Sequence, residues 1–115
     1  MNKIPPKLRE EMAQDGYYST CSRKAIFEDH ICQPDPLTGK MVEWEHTLIF
    51  ASKQIQEKWA IIPICWFTHR GGHLDKEKNV IIALNRATDD ELRKYSKTIN
   101  YIELRKRLNK KYGLD

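Results

Sequence analysis

Met41-Val42-Glu43-Trp44-Glu45-His46 alternates between two faces in the manner of a half-buried strand. Trp59 to Cys65 is instead a continuous apolar run, short and rich in Ile, which predicts a fully buried strand. Between them, Thr47 to Lys58 reads as a connecting loop with a helical turn around Ser52 to Glu57. Helical signals flank this centre. Pro6 to Gln14 has Pro near its start and Gly16 just past its end. Lys76 to Leu84 reads as another helix, and Thr88-Asp89-Asp90-Glu91 as a capping box, its threonine hydroxyl placed to accept from the third helical amide. Tyr101, Leu104, Leu108 and Tyr112 then form an apolar stripe at helical spacing, expected to pack on the core. Tyr17 to Cys32 has no clear period. Pro34 to Gly39 is a turn, one that joins two halves of a hairpin if residues near Ile31 pair with Val42.

The polar positions inside this pattern carry the candidate chemistry. Glu45 and His46 point to opposite faces within a strand, but at a strand end both can reach one site. His69 and His73 stand four apart, which on a helix places two imidazoles one turn apart on one face, a standard grip on a metal ion. Glu45 can supply a third ligand. His46 is then beside the ion but not on it, where an imidazole titrating near neutrality can take a proton from an attacking water. Gly71-Gly72 interrupts the proposed helix at a cost of about 1 kcal/mol per glycine relative to Ala, which weighs against helical placement of His73.

Residues 32 to 73 resemble the core of the HNH endonucleases, the ββα-metal fold. In that family a strand ends in an acidic residue or His followed by the catalytic His. An Asn-Leu-x-x-Leu-Cys-x-x-Cys-His run then leads through a second strand into a helix with the last ligands. Here the run reads Ala60-Ile61-Ile62-Pro63-Ile64-Cys65-Trp66-Phe67-Thr68-His69. The resemblance implies an α+β fold, an HNH-like, treble-clef-like ββα core with N-terminal and C-terminal helices. It implies Glu45 as first metal ligand, His46 as general base, His69 and His73 as helix ligands and Cys65 as a structural zinc ligand. Ala60 stands where the family has Asn and Thr68 where it has a second zinc-binding Cys. The Asn orients the base and braces the loop, a task that Gln54 or Gln56 can take over. The resemblance covers roughly a third of the chain.

Cysteine usage adds a second candidate site. Three cysteines are an odd count, and in a reducing compartment thiolate metal binding explains them better than disulfides. Cys21, His30, Cys32 and Cys65 make a tetrahedral set of zinc-type ligands, with His69 as an alternative to His30 because Cys65 and His69 are also one helical turn apart. A buried, metal-free Cys65 with an incidental Cys21 is the other reading.

With 115 residues the chain is expected to be one domain, with the HNH-like core at about 30–75 and a basic helical region at about 76–113. No apolar run reaches the length of a membrane span, and Met1 to Pro6 lacks the apolar core of a signal peptide, so a cytoplasmic location is expected. Arg93, Lys94, Lys97, Arg105, Lys106, Arg107, Lys110 and Lys111 have Glu103 as the only acid among them. They read as a face for a nucleic-acid backbone, DNA before RNA, or as an ordinary solvated helix surface, since the net charge is only +4. The implied function is hydrolysis of DNA phosphodiester bonds with one divalent ion, Mg²⁺, Mn²⁺, Ni²⁺ or Zn²⁺. The alternative is a scaffold without catalysis, a zinc-stabilised module binding DNA or a protein partner, such as an accessory or inhibitory protein of a phage or prophage.

Overall fold

The computed structural model describes residues 4–27, 30–70 and 76–114. It is a mixed α+β arrangement built on small antiparallel sheets. Strand β1 (Val42–His46) pairs with β4 (Ile61–Cys65), with Val42 opposite Cys65 and His46 opposite Ile61. The contrast foreseen between them holds: β4 is buried throughout, while β1 is half-buried at every position. Alternation along β4 divides its side chains. Ile62 and Ile64 pack with Ile82 and Ala83, whereas Ile61 packs with Met12 and Tyr18. Pro63 has no amide to donate, and its carbonyl accepts from the Ser22 amide (2.9 Å) and hydroxyl (2.7 Å), so residues near Cys21 are fastened along this strand.

The loop between these strands departs from expectation. Ser52 to Glu57 forms no helical turn; β2 (Ile49–Phe50) and β3 (Lys53–Gln54) make a tight hairpin. Ala51 and Ser52 both have positive φ, 52° and 66°, as a two-residue hairpin turn requires and a right-handed helix forbids. Ile31 likewise does not pair with Val42, because β1 spends its register on β4. The turn before β1 closes on itself instead, with the Asp35 amide donating to Lys40 (2.9 Å) and the Gly39 amide to Asp35 (2.8 Å).

The helices are α1 (Pro6–Ala13), α2 (Trp66–His69), α3 (Lys76–Arg86), α4 (Asp89–Tyr95) and α5 (Tyr101–Tyr112). The capping box is complete: the Thr88 hydroxyl accepts from the Glu91 amide and the Glu91 carboxylate from the Thr88 amide. The Asn100 side chain caps α5, and Gly113 ends it in the left-handed region at φ 67°. Tyr101 and Leu108 of the stripe are buried with Trp59, Ile81, Leu84 and Leu92, and Leu104 and Tyr112 pack against them. Arg86 ties the layers together. Its guanidinium lies 4.0 Å over the Tyr17 ring and donates to the Tyr18 hydroxyl (2.7 Å) and the carbonyls of Lys58 (3.1 Å) and Ile61 (3.0 Å).

Candidate metal centres

The first centre lies where β4 runs into α2. Cys21, His30, Cys32 and Cys65 each present one donor atom, and these atoms all lie within 4.8 Å of one another. His30 Nε2 is 3.4 Å from Cys21 Sγ and 3.5 Å from Cys65 Sγ. Zinc bonds of about 2.3 Å to sulfur and 2.0 Å to nitrogen, spread tetrahedrally, put those atoms about 3.5 Å apart, so this donor set fits the ion. Three chain segments converge here. Ser22 anchors the first on Pro63, the second brings His30 and Cys32, and Cys65 ends β4.

Cys32 and Cys65 sit in different electrostatic surroundings. Burial and the neighbouring Cys21 and Cys65 sulfurs push the Cys32 thiol up to about 12. Burial also raises Cys65, but hydrogen bonds from Thr68 and from the backbone outweigh it and hold that thiol below its ordinary range. Crowded thiols suppress one another's ionisation until a metal ion offsets the charge. Thr68, fully buried, has its hydroxyl 3.2 Å from Cys65 Sγ and 3.3 Å from His30 Nε2. The position lacking a second Cys therefore still touches the cluster, as a hydroxyl on its ligands.

The second centre lies on the neighbouring face of β1. Glu43 and Glu45, two residues apart on the strand, hold the His69 ring between them. His69 Nε2 meets Glu45 Oε2, and Nδ1 is 3.3 Å from Glu43 Oε1. His69 thus belongs here and not to the cysteine cluster, where His30 occupies the nitrogen position. The Glu45 contact, ahead of the smaller opposing effect of burial, raises the His69 pKa, with Glu43 adding to it. Arg70 closes the network through an ion pair to Glu43 of 2.9 Å. Among the described residues α2 spans Trp66–His69 and is capped at Arg70. His73 lies outside the described residues.

Sequence reasoning missed Glu43. The signal was there, since the period that faces Glu45 to the site must face Glu43 there as well.

His46, last in β1, points the other way, and its Nε2 is 2.9 Å from Gln56 Oε1. When Nε2 carries the proton and donates to that oxygen, Nδ1 is left as the basic nitrogen. Thr47 braces the same corner, its amide (3.1 Å) and hydroxyl (2.7 Å) both donating to the Ala60 carbonyl. Glu45 and His46 share a hollow of about 480 Å³ with Gln54, Lys76, Asn79 and the apolar Ile49 and Ile99. Across the Glu45–His69 contact lies a second hollow, about 600 Å³, walled by Arg9, Lys40, Trp44, Glu43, His69 and Arg70.

Most of the C-terminal cations are committed within the chain. Arg93 pairs with Asp90, Lys94 with Glu57, Arg105 with Asp89, Lys106 with Glu103 and Lys111 with Glu77. Lys97 sits over the Phe50 ring at 5.5 Å. Among the described residues no helix is long and apolar enough to cross a membrane. Comparisons with protein-family models, curated proteins and solved structures return no match for this chain.

Proposed function

We propose that this chain is a metal-dependent endonuclease of the HNH type, acting on DNA, with the Cys21–His30–Cys32–Cys65 cluster as its structural zinc site. The observation that carries the reading is the corner at the end of β1. A carboxylate (Glu45) and an imidazole (His69) stand side by side as donors for a divalent ion, and the next residue, His46, is oriented by Gln56. Gln56 supplies the orientation that the family's Asn would give, and the Thr47–Ala60 contacts brace the loop.

Glu45 and His69 would hold the ion, with His73 as the family's third ligand. When bound, it would stabilise charge on the phosphate and on the leaving oxygen. His46 accepts the proton of the attacking water, and the Gln56 hydrogen bond keeps the ring from turning away.

One feature favours the non-catalytic alternative. Protonated His69 between Glu43 and Glu45, with Arg70 on Glu43, is a complete ion-pair network without a second metal. Plasmid cleavage by zinc-loaded protein separates the two readings, with Mg²⁺, Mn²⁺, Ni²⁺ or Zn²⁺ supplied singly and His46→Ala run beside it. The expected result is metal-dependent nicking that falls about a hundredfold or more in the variant, the usual weight of a general base, with zinc content and DNA affinity unchanged. Cleavage surviving in His46→Ala removes that residue from the chemistry. No cleavage with any ion, from protein that retains its zinc, moves the assignment to a binding module.

A further inference from the structure

We infer that the DNA backbone is held in the hollow walled by Arg9, Lys40 and Arg70, and not on the C-terminal helices whose sequence looks most basic. This inference rests on the nuclease reading for its partner, but its evidence is separate. Among the described residues Arg9, Lys40 and Arg70 line the hollow with one carboxylate, Glu43, which pairs with Arg70 and His69 and leaves Arg9 and Lys40 without a carboxylate of the hollow. Arg9 projects from α1 with its guanidinium 5.6 Å from the Trp44 ring centre, and Lys40 enters from the turn before β1. Cations from three separate segments thus face one concave surface, as recognition of an extended phosphate chain requires.

Position strengthens the assignment. His69 lines this hollow, Glu45 lines the next, and the two side chains touch, so the candidate centre sits where the hollows adjoin. A strand whose phosphates lie along Arg9, Lys40 and Arg70 lies beside His69 and, through its contact, next to Glu45. By contrast, five of the eight cations in the C-terminal series are neutralised by carboxylates of this same chain. Two of those pairs, Arg105 with Asp89 and Lys111 with Glu77, tie α5 to α4 and α3, so part of this charge serves the fold.

The test is the salt dependence of binding to a short fluorescent DNA duplex, measured by anisotropy in a zinc-loaded His46→Ala background that does not cut. The double substitution Arg9→Gln with Lys40→Gln is expected to weaken binding about tenfold and to flatten the plot of log affinity against log salt by about two. The C-terminal pair Arg107→Gln with Lys110→Gln is expected to change affinity less than about twofold. Arg9→Lys with Lys40→Arg keeps the charge and should keep the affinity, which separates loss of charge from loss of packing on Trp44. Unchanged binding in the first variant, or a larger loss in the C-terminal pair, overturns the inference. So does absence of binding by the parent protein at low salt. Wild-type plasmid cleavage is scored separately, so DNA binding without cutting defeats the nuclease reading and leaves this surface standing.

Discussion

The two centres are a few residues apart in sequence and opposite in construction. The cysteine cluster draws four donors from three chain segments to one point, where the Thr68 hydroxyl and the Ile31 carbonyl also reach Cys65. In the Glu45–His69 pair each partner answers the other, Glu43 adds a second carboxylate to His69 and is itself paired with Arg70, and hollows lie on either side. The first has the donor set of a closed structural metal site, whereas in the second Glu45 and His69 already satisfy one another as an ion pair.

The largest effects should come from the closed centre. Cys65→Ser replaces a sulfur donor that is fully buried at the junction of β4 and α2. Structural zinc is worth on the order of 10 kcal/mol in small domains, comparable to the whole stability of a chain this size. The variant, and wild-type protein stripped by a strong chelator, should lose both zinc and a cooperative thermal transition. A sharp melt retained by either would show that the apolar layers of β4, α3 and α5 suffice alone, and the contrast between the centres would collapse.

A smaller, more selective effect is expected at Glu43. Its carboxylate accepts from His69 Nδ1, which leaves Nε2 facing Glu45. Outer partners of this kind are worth about 10- to 100-fold in metal affinity. Glu43→Ala should weaken Mn²⁺ or Ni²⁺ binding by that order in calorimetry on zinc-loaded protein, while zinc content stays stoichiometric. Glu43→Gln keeps an accepting oxygen and should recover part of the loss. Equal metal affinity in all three proteins would reduce Glu43 to an ion-pair residue.

How far each centre was legible follows from the range of the forces that build it. The strands at Glu43 and Ile62, the capping box at Thr88 and the stripe from Tyr101 to Tyr112 could be read because local periodicity and local hydrogen bonds decide them. The set Cys21, His30, Cys32 and Cys65 could be proposed because few residue types bind zinc. Only folding could choose His30 over His69, since that choice depends on which face of β1 His69 meets. The hairpin at Ala51 and Ser52 escaped notice because neither residue advertises positive φ as Gly or Asn would. The ion pairs of the basic C-terminal series were hidden from the sequence for a related reason. Its counter-charges, Glu57, Glu77, Asp89 and Asp90, come from outside the run and reach it through tertiary packing or the preceding turn of helix.

The finest distinction between the centres is the sign of their response to pH. Acid should strip both ions, because thiolates and imidazole must each surrender a metal to take a proton. Without a second metal, however, His69 is raised above its ordinary 6.5, first by Glu45, so its protonated form is the one that stabilises the fold. That contribution is fully present below the unfolded-state pKa and is lost as pH rises through the higher folded-state value. Zinc-loaded protein without a second ion should therefore lose a small increment of stability between mildly acidic and mildly alkaline pH. His69→Gln should abolish that slope, and an added divalent ion should reverse it by favouring unprotonated His69. Denaturant melts across this window check the point, and a slope that persists in His69→Gln would assign the titration to another group.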